Sequence, residues 1–61
     1  MPVVTIAGND GINKNKKEKM VKELTKIVAD AYELPESAIT ILIQNYSPEN
    51  IGVSGKLLSD K

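Results

Sequence analysis

The sequence predicts an α+β domain built on one β-α-β unit, with two parallel strands joined by a long helix and a short C-terminal hairpin or arm. Three observations predict it. Residues 2–7 are a run of small and β-branched apolar side chains. Residues 14–33 carry an apolar stripe at helical spacing, and residues 38–44 alternate as a pleated strand does. A strand, a helix of about five turns and a second strand, in that order, make the two strands parallel neighbours with a right-handed crossover.

The first strand is read over Pro2 to Ala7, where Val3, Val4, Thr5 and Ile6 are β-branched and suit a pleated backbone. Pro2, Val4 and Ile6 fall on one face, and Val3, Thr5 and Ala7 on the other. A strand apolar on both faces calls for two covers, one a helix and the other a second subunit. Gly8-Asn9-Asp10-Gly11 is a dense turn signal. Asn13 follows as the N-cap of a helix starting at Lys14. Lysines in that first turn oppose the helix dipole, a local conflict of the kind that marks functional sites.

The helix is read from Lys14 to Glu33, with Met20, Val21, Leu24, Ile27, Val28 and Ala31 as its apolar stripe. Glu18 and Lys22, Lys19 and Glu23, and Lys26 and Asp30 are spaced for i,i+4 pairing on the wet side. The run Lys14-Asn15-Lys16-Lys17-Glu18-Lys19 reads as a solvated helix face, because acids interleave and no aromatic platform adjoins it. Leu34-Pro35 stops the helix, since a residue before proline leaves αR geometry. Ala38 to Gln44 is the strongest strand signal, with Ile39, Ile41 and Ile43 on one face. Residues 47–50 read as loop. The tail from Ile51 to Leu58 is too short and glycine-rich for a core, and suits a hairpin or arm laid on a neighbouring subunit.

Sixty-one residues make one domain, 1–61. A compact domain of 6.6 kDa buries about 60% of its unfolded surface, worth on the order of 80 to 90 kcal/mol. Ordering the chain costs roughly 90 kcal/mol, so a lone protomer is marginal. With neither Cys nor His, disulfide and zinc staples have no ligands, and self-association remains. The same absences exclude Cys nucleophiles and His bases. Eight lysines balance eight acids, and arginine is absent; a net charge of zero sets up no field for nucleic acid. Neither a signal peptide nor a spanning apolar run is visible, so the expectation is a cytoplasmic protein with no membrane partner.

The chemistry concentrates at Met1-Pro2. If the methionine is removed, Pro2 presents a cyclic secondary amine, a compact base on a backbone whose φ is already set. Proline is also tolerated at the start of a strand for structural reasons alone. The Met1-Pro2 start with its strand, the segment Leu34-Pro35-Glu36-Ser37-Ala38-Ile39, the tail Ile51-Gly52-Val53-Ser54-Gly55 and a length near sixty together resemble the 4-oxalocrotonate tautomerase family over essentially the whole chain.

That resemblance implies a β-α-β protomer with a C-terminal hairpin, paired into dimers sharing a four-stranded sheet, three of which form a homohexamer. It implies an isomerase that interconverts enol or dienol acids and their conjugated ketones without metal or organic cofactor, with Pro2 as the general base. A proton shuttle works best with a pKa near ambient pH, and an exposed secondary amine is more basic than that. Desolvation and neighbouring positive charge lower it. Val4, Ile41 and neighbouring tails offer an apolar surround.

By the same resemblance, Ile12 and Thr40 stand where the family has arginines, and Ile51 where it has an aromatic residue. Lys14, or next to it Lys16, is left as the point charge, gripping a carboxylate less rigidly than arginine. A smaller or monoacidic enol suits these residues better than a dicarboxylate. The rival expectation is a non-catalytic assembly protein that keeps the scaffold after losing the charged pocket.

Overall fold

The computed structural model describes residues 1–60. Strand β1 (Val3–Asn9) leads into helix α1 (Lys14–Tyr32), and a 3-10 turn (Glu36–Ala38) precedes strand β2 (Thr40–Tyr46). A second 3-10 turn (Pro48–Asn50) enters the hairpin β3 (Gly52–Val53) and β4 (Lys56–Leu57), and a third spans Leu58–Asp60. β1 and β2 are parallel, with Val3 opposite Thr40, Thr5 opposite Leu42 and Asn9 opposite Tyr46. β3 and β4 are antiparallel, with Val53 opposite Lys56. The expected β-α-β unit and terminal hairpin are both present.

Local chemistry sets the helix ends. Asn13 sits in extended geometry, and its Oδ1 accepts from the amides of Asn15 at 2.7 Å and Lys16 at 3.4 Å, the cap expected from sequence. The first turn holds no acid, and Lys14 is instead paired with Glu18 one turn on, Nζ to Oε1 3.9 Å. Among the described residues this is the one ion pair; the three pairs expected at Glu18–Lys22, Lys19–Glu23 and Lys26–Asp30 are not within reach. Each such exposed pair gains only a few tenths of a kcal/mol, so i,i+4 spacing alone does not decide which of them close.

The helix ends at Tyr32, one residue short of the expected Glu33. Glu33 takes left-handed geometry at φ 56°, its amide donating to Asp30 O at 3.3 Å and that of Leu34 to Ala29 O at 3.0 Å. These paired bonds form a Schellman cap with glutamate where glycine is favoured.

Strand boundaries shift as well. Gly8 and Asn9, expected in a turn, continue β1 because they pair with Asn45 and Tyr46. The reversal falls at Gly11, φ 87°. Ala38, expected in the second strand, lies in the turn launched by Pro35: its amide donates to Pro35 O at 3.0 Å, and that of Ile39 to Glu36 O at 3.1 Å. Residues 48–50, read as loop, form a 3-10 turn with the Asn50 amide on Ser47 O at 2.8 Å.

α1 lies on the face of Val4, Ile6, Ile41 and Ile43, all half-buried. Its covered side carries Lys17, Met20, Val21, Leu24, Thr25, Val28 and Ala29. Ile27, expected in the stripe, is 63% exposed, and Ala31 is also exposed. Two strands about 4.8 Å apart are narrower than a helix about 10 Å across, so one flank of the stripe overhangs. Among the described residues only Ala29 is buried, at 3% exposure.

The opposite sheet face has no cover. Val3 is 54% and Leu42 49% exposed, with Thr5, Ala7 and Gln44 exposed beside them. The accessible surface is 4829 Å², against roughly 3,900 Å² for a compact chain of this mass. The radius of gyration is 14.8 Å with extents of 44 × 23 × 12 Å, against about 10.5 Å for a compact fold of this length. The protomer thus buries about half of its unfolded surface rather than the expected 60%, which sharpens its need for a partner.

Candidate active site

Pro2 stands immediately ahead of β1 and is half-buried. Its carbonyl accepts the Thr40 amide at 3.2 Å, extending the ladder one step beyond the Val3–Thr40 register. The proline ring needs no ladder donor of its own, so this position costs the sheet nothing. Met1 precedes it and is 88% exposed; while Met1 is attached, the Pro2 nitrogen is a tertiary amide with neither proton nor basic lone pair.

The two ends of the sheet differ. Pro2 and Thr40 share one end. The helix joining two parallel strands runs back antiparallel to both, so the helix C-terminus, Glu33 and the turn holding Glu36, which packs on α1, lie at that same end. Ile12 and Lys14 lie past the other end of β1. Seven strand residues at about 3.3 Å each separate the two ends by about 20 Å. Ile51 belongs to that second end as well, five residues beyond Tyr46, which pairs with Asn9.

Of the residues singled out from sequence, the protomer brings together Pro2 and Thr40. It places Ile12, Lys14 and Ile51 apart from them. Consistent with this division, no cavity able to enclose a ligand is found among the described residues. The expected apolar surround of Val4 and Ile41 is a half-buried neighbour pair in the sheet, not a closed pocket.

The second end is ordered by short contacts. The Asp10 amide donates to Tyr46 O at 3.0 Å, closing the loop against β2. Tyr46 Oη donates to Gln44 Oε1 at 3.3 Å. Ile12 is 39% exposed. Ile51 is half-buried and accepts the Leu58 amide at 2.9 Å, while the turn at Pro48–Asn50 packs on the one at Leu58–Asp60. The tail therefore folds on itself and projects as a preformed arm.

Glu18 joins this end through its i,i+4 spacing from Lys14, a signal the sequence shares equally with the Glu18–Lys22 spacing.

A parallel β-α-β unit with a self-folded hairpin arm and a proline at the head of β1 defines the tautomerase class of fold. The chain belongs to the tautomerase family, whose sequence model, described as tautomerase enzyme, matches residues 2–61. A probable tautomerase of Bacillus cereus is 33% identical over 61 residues, covering 100% of both chains. The solved structure of DmpI from Archaeoglobus fulgidus is 42% identical with a TM-score of 0.83, covering 97% of this chain and 100% of that one. A crystal structure of a 4-oxalocrotonate tautomerase homologue reaches a TM-score of 0.96 at 23% identity, covering 100% of this chain and 97% of its own, a likeness of fold. No helix of the described residues is long and apolar enough to cross a membrane.

Proposed function

We propose that this protein is a cofactor-independent keto-enol tautomerase in which Pro2, as a free amino terminus, is the general base. The amine takes the enol hydroxyl proton, and the prolinium so formed hands that same proton to the distal carbon. The C=C electrons form the new C–H bond, the oxygen's electrons form the C=O, and the proline returns to its starting state. The observation that carries this reading is the position of Pro2, held by Thr40 at the head of β1 in a chain of the tautomerase family.

The electrostatics argue that the site is assembled between copies. Within one protomer Pro2 shares its end with the negative end of the helix dipole and with Glu33 and Glu36, surroundings that favour a protonated amine. The opposite end carries the positive end of the dipole and Lys14. An amine that must lose its proton near neutrality belongs beside the second environment, and about 20 Å of strand leaves that to another subunit. In this reading Lys14 supplies a point charge, Ile12 and Ile51 exclude water, and the Thr40 hydroxyl offers a neutral hydrogen bond.

The uncovered face of Val3, Thr5, Ala7, Leu42 and Gln44 and the two open strand edges supply the self-association surfaces. Dimers joined through strand edges and grouped as a homohexamer are the assembly proposed. The direct test is ketonisation of phenylenolpyruvate by protein whose mass shows Met1 removed. Turnover that disappears in Pro2→Ala supports the reading. Equal rates in the two proteins reject Pro2 as the base, and no turnover from the free-amine protein leaves a non-catalytic assembly.

A further inference from the structure

The loop and first helical turn that the tautomerase reading brings against Pro2 are poor in net positive charge. No arginine exists in the chain. Lys14 is 86% and Glu18 66% exposed, with Nζ and Oε1 3.9 Å apart. Asp10 adds a second exposed carboxylate at the same junction, and Lys17 is half-buried on the sheet side of the helix. Lys16 sits about 200° round the helix from Lys14 and projects elsewhere. The junction therefore holds two cations against two anions, with Glu18 drawing on the one cation aligned with the loop.

We propose that Glu18 is a specificity-determining residue: by holding the Lys14 ammonium and adding its own carboxylate beside it, Glu18 selects monoanionic enols and turns away dicarboxylates. This inference rests on the tautomerase reading above. A substrate with one carboxylate can share Lys14 with Glu18. A second carboxylate at this junction meets Glu18 and Asp10, with only Lys17, half-buried on the sheet side of the helix, left as a cation, and like charges brought within a few ångströms repel even in water. Ile12, Thr40 and Ile51, the other residues proposed to line the site, are uncharged and offer no compensation.

The experiment compares kcat/KM for phenylenolpyruvate, with one carboxylate, and 2-hydroxyhexa-2,4-dienedioate, with two, using protein confirmed by mass to start at Pro2. The wild type is expected to favour the monoacid. Glu18→Gln keeps the side-chain shape and is expected to raise the diacid-to-monoacid ratio about three- to tenfold, chiefly through KM, with the gain shrinking at high salt. Glu18→Asp restores the charge and is expected to return the ratio toward that of the wild type. Thermal melting by circular dichroism verifies that each variant is folded, and Glu18→Ala provides a second neutral variant. A wild type that prefers the diacid, or a ratio unmoved by both neutral variants, overturns the proposal and leaves the tautomerase reading standing. No turnover of either substrate rejects the tautomerase reading, and the proposal with it.

Discussion

The Thr40 amide donates to the Pro2 carbonyl at 3.2 Å, fastening the first residues of the protein to the start of β2. This bond positions a proposed catalytic nitrogen through backbone alone, one peptide unit away from the atom that reacts. It also explains why a proline is accommodated there: the ring nitrogen is not asked to donate, while the carbonyl beyond it is used. Strand pairing and the placement of that proposed base thus depend on the same two residues.

Blocking the Pro2 nitrogen is expected to abolish activity without harming the fold. Protein carrying an uncleavable residue ahead of Pro2 should lose ketonisation of phenylenolpyruvate entirely while retaining the circular dichroism spectrum of the processed chain. Pro2→Ala in the processed chain should lose about two to four orders of magnitude in kcat, the range supplied by a positioned general base. An acylated chain with full activity would show the base to lie elsewhere.

Leu42, 49% exposed on the uncovered sheet face, is expected to be an assembly residue. Replacing it with aspartate puts a charge where a partner's apolar surface should sit, at a cost far beyond that of an ordinary surface substitution. Sedimentation of Leu42→Asp should show a lower mass than the wild type, accompanied by a lower melting temperature and lost activity. A wild-type mass at micromolar concentration would remove this face from the interface.

Asn13 caps α1 through two backbone amides. Asn13→Ala should destabilise the protein by about 1 kcal/mol, a fall in Tm of about 4–8 °C per unfolding chain of this size. Asn13→Asp should keep the cap and add a favourable charge at the dipole's positive end. Melting curves at fixed protein concentration separate the two.

Glu33 occupies left-handed geometry at φ 56°, a conformation that costs a side-chain-bearing residue about 1–2 kcal/mol and glycine nearly nothing. Glu33→Gly is therefore expected to raise stability by up to about 1 kcal/mol, part of the gain being offset by the freer unfolded chain. A lowered Tm would mean that the glutamate side chain has a stabilising partner.

Much of the chain is governed by short-range chemistry and was legible for that reason. The Asn13 cap, the stop before Pro35 and the pleated alternation of Ile41 and Ile43 each depend on residues within a few positions of one another. The errors share a cause. Gly8 and Asn9 look like turn residues until Asn45 and Tyr46 pair with them. Ile27 looks like core until the width of the sheet is known. In both cases the tertiary setting, a paired strand for the first and an uncovered flank for the second, outweighed local preference.

The order of residues by itself determined the element types, the parallel sense of the strands, the absence of arginine, cysteine and histidine chemistry, and the proline whose amine is the proposed base. Only the tertiary structure decided that Pro2 and Thr40 meet while Ile12, Lys14 and Ile51 collect at the far end, that Glu18 holds Lys14, and that one sheet face stays bare. The physical reason is that periodicity and capping act along the chain, whereas the register of two strands and the direction of the helix between them fix which remote residues share an end.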